Sequence, residues 1–362
     1  MHDIFEYLEW RGDISFQKIE PVDTDYAIFA SLAYIPYDGT VAKDGFIPFK
    51  EAAAKVLKKV EGTKKRTKLR MEEDGLLLKS AASSVRFGEL MTGYYASIIN
   101  PDKEEQFSAV SFLLPQGDIV AVFRGTDGTI VGWKEDFNMG FLNELPSQKD
   151  AVAYLNNVAS YNGGRLYVCG HSKGGNLAMY ASAFAKRDVQ DRIAAIRSLD
   201  GPGFKKTVTD SKGFARVLDR MKTFMPQSSI VGLLLEHKEK HMVIHSFAKA
   251  AKQHNMYTWS ISGASFTEEE GLSESSINTN KAINAWITDM SEEKRMRLTE
   301  GIFEIAQAAD VDTLEELFEA RNLPVIMKKI GKLDDETKEL IVETGRIFMN
   351  SYKKRKQEGK NN

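Results

Sequence analysis

A single serine, Ser172, stands where a short apolar run gives way to a helix-forming one. Residues 166–169 are apolar and typical of a β-strand, whereas residues 176–181 favour a helix. Gly170 and Gly174 lie two positions before and two positions after the serine, in the pattern G-x-S-x-G. Glycine leaves room for a tight turn whose central residue has a strained backbone. The pattern therefore predicts a sharp strand-to-helix turn at Ser172.

A turn of this kind is the nucleophile elbow of α/β-hydrolases. It would hold the hydroxyl of Ser172 above the edge of the sheet, where a base can reach it. The backbone N–H of the next residue, Lys173, would point to the position of a tetrahedral oxyanion. We therefore predict that Ser172 is a nucleophile. The alternative is a glycine-rich turn that happens to contain a serine.

Length and net charge limit the domain organisation and the kinds of partner that this chain can have. The 362 residues suit one α/β domain of about 250–280 residues with an appendage. A hydrophobic content of 42% is ordinary for a soluble globular protein. The net charge of −2 gives no overall attraction for nucleic acid, so we expect no nucleic-acid partner. The basic stretches 64–70 and 353–356 are predicted to be solvated faces.

The cysteine count and the distribution of apolar residues bear on location. One cysteine, Cys169, excludes an intramolecular disulfide, and its place in an apolar run predicts a buried core residue. The N-terminal residues carry charges throughout and lack the apolar region of a signal peptide. No apolar run approaches 18 uncharged residues, so we expect a cytoplasmic protein without stable membrane insertion.

The order of predicted elements indicates an α/β fold. Helical patterns cover residues 22–35, 48–60 and 76–86, and β-like runs at 93–100, 106–114 and 119–123 predict an antiparallel meander. After Arg124, helices and strands alternate, which predicts parallel strands. Predicted helices there are 147–160, 173–187, 211–220 and 247–253, and predicted strands are 165–169, 192–199, 221–225, 241–246 and 257–262.

These elements together predict an α/β-hydrolase fold with a mostly parallel central sheet and an antiparallel N-terminal meander. We expect a hydrolase domain with an N-terminal helical segment over residues 1–265. A Ser-, Glu- and Asn-rich linker is predicted at 266–281, and a helical C-terminal extension at 282–362.

A second motif precedes the elbow. Residues 123–126 read F-R-G-T, and Trp133 and Asp136 follow in the spacing W-x-x-D. Together with G-H-S-x-G-G, this pattern resembles the class 3 lipases over residues 106–205. The resemblance implies that Thr126, with Lys173, supplies the oxyanion hole. It also implies a supporting ion pair between Arg124 and Asp136. A glycine at a strand end agrees with this, because it lets the backbone approach a reacting carbonyl.

The position of the acid departs from that pattern. Class 3 lipases carry an aspartate in the segment that here spans residues 224–232, which contains no acidic residue. Asp200, at the end of the strand after the elbow helix, resembles the acid of pancreatic-type lipases, which lies one strand earlier. We predict Asp200 as the acid of a triad. Asp200 as a simple turn former and Glu236 as the acid are the alternatives.

The base must be a histidine. The candidates are His171, His237, His241, His245 and His254. The side chain of His171 precedes the nucleophile and is not expected to turn back onto it. His254 follows Ser172 and Asp200 in the chain order that this fold requires, and it lies in a predicted turn. We predict His254 as the base, with His237, His241 and His245 as alternatives.

The wider pattern resembles a bacterial, lipase-like α/β-hydrolase family of unknown function over residues 3–262. The motifs that carry this resemblance include W-R-G-D at 10–13, L-D-G-P-G-F at 199–204 and P-Q-S-S-I-V-G at 226–232. We predict a serine hydrolase that cleaves small carboxylic esters through an acyl-enzyme intermediate, without cofactor or metal. The alternative is a non-catalytic binding or regulatory protein on the same scaffold. Lys173 stands where most lipases have an apolar residue; its side chain could also simply point to solvent. Acyl length and oligomeric state are left open.

Overall fold

A computed structural model describes residues 2–61, 69, 71–127, 129–140, 142–308 and 323–343. Most of the basic stretch 64–70 and all of the stretch 353–356 lie outside these residues. The two predicted solvated faces therefore stay predictions.

The centre of the described fold is a sheet of eight strands whose spatial order follows the chain order. The strands are β1 (Phe46–Pro48), β2 (Met91–Asn100), β3 (Glu105–Leu113), β4 (Ile119–Phe123), β5 (Leu166–His171), β6 (Ile193–Leu199), β7 (Met221–Pro226) and β8 (Lys240–Ile244). β1 pairs antiparallel with β2, and β3 with β4. β4 to β8 are parallel to one another, as the alternation of helices and strands predicts.

Helices precede the sheet, connect its parallel strands and follow it. Those before β2 are α1 (Ile4–Arg11), α2 (Asp23–Leu32), α3 (Phe49–Glu61), α4 (Glu72–Ser83) and α5 (Val85–Gly88). Those between β4 and β7 are α6 (Ile130–Asn138), α7 (Pro146–Ala159), α8 (Lys173–Phe184), α9 (Arg187–Arg192), α10 (Lys206–Thr209) and α11 (Lys212–Val217). After β8 come α12 (Glu274–Asp289), α13 (Glu292–Ala308) and a further helix, Leu323–Ile330.

The parallel strands β4 and β5 are buried on both faces. Along β4, Val120 and Val122 belong to one hydrophobic cluster, whereas Ile119, Ala121 and Phe123 belong to another. Successive side chains of a strand point to opposite faces, so a strand covered on both sides is apolar throughout. This explains why these strands stand out as continuous apolar runs in the sequence.

The prediction for residues 247–262 is wrong in part. Instead of a helix at 247–253, the chain forms a short 3₁₀ turn, Ala250–His254, where Gln253 Nε2 donates to Ala248 O at 3.0 Å. The predicted strand 257–262 is reduced to β9 (Ile261–Ser262), which pairs with β10 (Ser265–Phe266). The indole of Trp259 donates to Gln253 O at 2.7 Å. Side-chain bonds to the backbone compete here with regular structure.

The described chain divides into two compact units. One comprises Met1–Ile98, Phe107–Gly125 and Pro146–Leu272; the other comprises Ile99–Gln106, Thr126–Leu145 and Ser273–Asn362. Within the predicted linker, 266–281, helix α12 already begins at Glu274, because the side chain of Ser273 caps it by accepting from Ser276 N. The boundary at residue 265 stays a prediction, and residues 309–322 and 344–362 of the predicted extension lie outside the described part.

The sheet and its connections give the first unit an α/β-hydrolase fold, as predicted. An antiparallel start leads into parallel strands, and β5 turns directly into α8 at Ser172. In sheets of this kind, ligands bind beyond the carboxyl ends of the parallel strands. The segments that follow β5, β6, β7 and β8 therefore hold the candidate site.

Candidate active site

The predicted strand-to-helix turn is present at Ser172. The serine has φ 58° and ψ −132°, a conformation that is normal for glycine and strained for other residues. The flanking glycines are required by close backbone approaches. A Cβ on Gly170 would lie 2.2 Å from Gly174 O, and one on Gly174 would lie 2.1 Å from Phe123 O. The glycine spacing of the motif therefore has the steric basis expected from the sequence.

Ser172 is partly exposed between buried neighbours. His171 and Lys173 on either side of it are buried, as is every residue of β5. The backbone of Ser172 is fixed, since its N–H donates to Leu199 O at 2.9 Å and its carbonyl accepts from Gly175 N at 2.8 Å. Lys173 is only 1% exposed, so the idea that its side chain points to solvent is wrong.

Asp200 follows β6 directly and is almost fully buried, with 1% exposure. Its backbone has φ 52°, in the left-handed region that aspartate tolerates better than most residues, and its N–H donates to Phe224 O at 2.8 Å. The loop after it is tied to the elbow helix, because Asn176 Nδ2 donates to Gly203 O at 2.8 Å. Asp200 is therefore held between the elbow and β7.

His254 and Asp200 are brought together as the sequence suggests. His254 Nδ1 donates to Asp200 Oδ2 at 2.6 Å, although the two residues are 54 positions apart. The side chain of His254 is 32% exposed, whereas the carboxylate is buried. The segment before His254 is fixed by Gln253, whose Oε1 accepts from Ser228 N at 2.7 Å. A hydrogen bond of this kind to a buried carboxylate would orient the imidazole of a general base.

Ser229 also contacts the acid, and sequence reasoning missed it. Its hydroxyl donates to Asp200 Oδ1 at 2.5 Å and accepts from Gly232 N at 3.0 Å. Ser229 is buried. Both carboxylate oxygens of Asp200 thus accept hydrogen bonds, one from His254 and one from Ser229. Nothing in the local sequence around Ser229 signals a carboxylate contributed by the neighbouring strand.

Thr126 and Asp136 lie in the second compact unit. Thr126 Oγ1 donates to Asp136 Oδ2 at 2.6 Å, so the threonine hydroxyl is engaged by the aspartate that was expected to pair with Arg124. Arg124 is buried at the end of β4, and its backbone N–H donates to Ser108 O at 2.9 Å. The oxyanion role of Thr126 and the ion pair between Arg124 and Asp136 stay predictions.

The alternative bases have other partners. His237 Nδ1 donates to Glu239 Oε1 at 2.7 Å, and His245 Nδ1 donates to Glu269 Oε1 at 2.5 Å. Burial raises the pKa of Glu239, but the hydrogen bonds from His237 and Thr223 outweigh it and lower that pKa overall. His241 is exposed on β8.

Glu236, the alternative acid, is partly buried. Its backbone forms an isolated antiparallel bridge with Phe204. The bridge places residue 236 beside the loop that follows Asp200, but the bonds that form it are those of the main chain.

A thiol nucleophile and a metal ion are two other ways in which a site can be reactive. Cys169 is buried in the core, as predicted, and burial raises the pKa of its thiol, which disfavours the nucleophilic thiolate. Within the described ranges, no cluster of three His, Cys, Asp or Glu side chains could hold a metal ion. No helix in the same ranges is both long and apolar enough to cross a membrane.

Several solved lipase structures are similar to this chain. M37 lipase is 15% identical, with 57% of this chain and 68% of that chain covered and a TM-score of 0.38. The lipase of Rhizomucor miehei in its propeptide complex is 16% identical, with coverages of 44% and 58% and a TM-score of 0.33. A mutant form of MDLA from Penicillium cyclopium is 14% identical, with coverages of 67% and 86% and a TM-score of 0.35.

None of the curated proteins compared with the chain matches it significantly. A family profile does match, however, and it spans residues 81–304, from α4 to α13. The matched region includes Ser172, Asp200 and His254 and makes up more than half of the 362 residues. The chain belongs to the Mbeg1-like family.

Proposed function

We propose that this protein is a serine hydrolase that cleaves carboxylic esters through an acyl-enzyme intermediate. The observation that carries the proposal is the 2.6 Å hydrogen bond between His254 and the buried Asp200, together with a strained and partly exposed Ser172 whose neighbour His171 bonds to the main chain of His254. A structural serine does not need a glycine-like backbone, and a structural histidine does not need a buried carboxylate partner. The combination is what nucleophilic catalysis requires.

In the proposed reaction, Ser172 Oγ attacks the acyl carbonyl while His254 Nε2 takes the hydroxyl proton. The bond from Oγ to the acyl carbon forms, the bond from that carbon to the alcohol oxygen breaks, and His254 returns the proton to the leaving alcohol. Water then attacks the acyl-enzyme with His254 as base, which releases the carboxylic acid and restores Ser172. Asp200 stabilises the imidazolium, and the Ser229 hydroxyl helps to hold Asp200 in place.

The negative charge on the carbonyl oxygen needs hydrogen-bond donors. Lys173 directly follows Ser172 and begins α8, and its backbone N–H is the first donor that we propose, on the strength of the elbow motif. The N–H of Thr126 is the second donor that we propose, on the strength of the F-R-G-T motif. Donors placed in advance at such a position account for a large part of the rate enhancement in acyl transfer.

The direct test is labelling with a serine-reactive fluorophosphonate. We expect the probe to modify wild-type protein at Ser172, because attack on phosphorus uses the same activated hydroxyl as attack on an ester. Ser182→Ala is a matched control. Ser182 lies on α8, the helix that follows Ser172, and its buried hydroxyl donates to Ala178 O at 2.7 Å, so labelling should persist in this variant. A folded wild-type protein that resists the probe would support the alternative, a non-catalytic binding or regulatory protein.

The partial exposure of Ser172 bears on the substrate. Ser172 is only partly exposed and both of its chain neighbours are buried, so we propose that it takes dispersed ester molecules rather than a lipid surface. The sequence-based expectation of a cytoplasmic location also disfavours fat droplets as the substrate. We therefore expect hydrolysis of short-chain, dispersed esters, with no jump in rate as a long-chain ester passes its micelle threshold.

The measurement is the rate as a function of substrate concentration across that threshold, with p-nitrophenyl esters of graded chain length. A smooth curve for long chains, together with good turnover of short ones, supports the esterase. A sharp rise above the threshold with poor turnover of short esters would instead identify an interfacial lipase.

A further inference from the structure

Two imidazole rings lie against each other beside the elbow. The centroids of the His171 and His254 rings are 4.4 Å apart, with 39° between the ring planes. His171 is buried, with 2% exposure, and its ring also makes edge contacts with Tyr34 and Trp259. The residue just before the nucleophile is therefore packed directly onto the residue that we propose as the base.

The hydrogen bonds of His171 define its protonation. Its Nε2 lies 2.8 Å from the backbone carbonyl oxygen of His254, which can only accept, so Nε2 carries a proton. In the neutral ring, Nδ1 then accepts from the hydroxyl of Tyr34, which lies 2.9 Å away. Both ring nitrogens are thus used, and the donor end of the ring is directed at the main chain of His254.

The segment that carries His254 has little regular structure to hold it. His254 ends the five-residue 3₁₀ turn Ala250–His254, and its own side chain is 32% exposed. Short 3₁₀ segments have poor internal hydrogen bonding. The bond from His171 fixes the main chain of His254, and the ring contact limits how far its imidazole can turn. The bond to Asp200 fixes the imidazole from the other side.

We infer that His171 is a positioning residue for the base. It keeps Nδ1 of His254 on Asp200, and so keeps Nε2 in the orientation that proton transfer from Ser172 would require, without itself taking part in proton transfer. This inference rests on the proposed function. A misplacement of catalytic groups by about 1 Å can cost roughly 100-fold in rate, so the expected effect is on kcat more than on KM.

The test compares two amides of different reach at this position. In His171→Gln, the side-chain amide reaches as far as Nε2 and can still donate to the carbonyl of His254. In His171→Asn, the amide reaches only as far as Nδ1, so it can keep the hydrogen bond with Tyr34 but cannot reach the carbonyl of His254. We expect His171→Asn to lower kcat by about 10- to 100-fold with little change in KM, and His171→Gln to restore kcat to within about five-fold of wild type.

A proton NMR signal reports on the same contact without any turnover. The Nδ1 proton of His254, in a short hydrogen bond to a buried carboxylate, should give a far-downfield resonance that Asp200→Asn removes. We expect wild type and His171→Gln to show it and His171→Asn to lose or broaden it. Thermal melting should show that all these variants are folded.

The two ideas can fail separately. If His171→Asn keeps both the kcat and the resonance of wild type, His171 is not a positioning residue, and the esterase proposal is untouched. If wild type shows neither fluorophosphonate labelling nor ester turnover, the proposed function is wrong; in that case the NMR comparison alone decides the contact between His171 and His254. Loss of kcat in His171→Gln as severe as in His171→Asn would also overturn the inference.

Discussion

Replacement of Ser172 with alanine is expected to slow ester hydrolysis by about 10⁴- to 10⁶-fold, since loss of a triad nucleophile leaves only binding and oxyanion stabilisation. The measurement is kcat for a short p-nitrophenyl ester, compared with the rate of hydrolysis in buffer. The melting temperature should change little. Ser172 is partly exposed, and the role that we propose for its hydroxyl is in chemistry rather than in packing.

Ser182→Ala again serves as the control, because it removes a serine hydroxyl from α8, the helix that follows Ser172. Its kcat should stay near that of wild type. If Ser172→Ala hydrolyses esters at a rate close to that of wild type, Ser172 is not the nucleophile. The elbow would then be a structural turn, despite its strained backbone.

Asp200→Asn is expected to lower kcat by roughly 10⁴-fold while the protein stays folded. An amide at this position can donate a hydrogen bond to His254 Nδ1, which places the ring proton on Nε2. That tautomer cannot accept the proton of Ser172. The bond from Ser229 to the remaining oxygen of residue 200 can persist, so the loop should keep its structure.

Glu236→Gln is the matched control for the acid. Glu236 is partly buried near the same loop and was the alternative acid, yet the bridge that it forms with Phe204 is made by main-chain atoms. We expect this variant to keep most of the activity. The opposite result, with Asp200→Asn harmless and Glu236→Gln severely impaired, would move the acid to the segment after β7.

The sheet could be predicted from the sequence because burial on both faces leaves a strong signal. The strand runs at residues 119–123 and 166–169 are apolar throughout, and residues 193–196 are apolar as well. Turn residues separate the strands of the N-terminal meander. The segment 247–262 was predicted wrongly for the opposite reason. Its aromatic residues have high β-propensity, but Tyr257 donates through its hydroxyl to Asp74 at 2.8 Å and Trp259 donates to Gln253 O. The partner of Tyr257 is 183 positions away, so no local pattern can reveal it. The bond of Trp259 spans six positions but ends on a main-chain carbonyl, which the side-chain pattern does not show.

The candidate site likewise has some features that the sequence predicts and others that it does not. The strained turn at Ser172 follows from five consecutive residues, and the pairing of Asp200 with His254 follows from chemistry and chain order. The bond from Ser229 to Asp200 joins residues 29 positions apart, and that from His171 to His254 joins residues 83 positions apart. No sequence motif or characteristic spacing marks either pair, because each contact depends on which segments the fold brings together.

The glycine-like backbone at residue 172 also bears on how this chain can evolve. A serine held in such a conformation costs the folded state on the order of 1–3 kcal/mol, most of which glycine would recover. Selection for stability alone would therefore favour glycine at this position, and a lineage released from catalysis would be free to drift toward it. A serine at this position lowers the stability of the folded state, and only selection for its hydroxyl would maintain it.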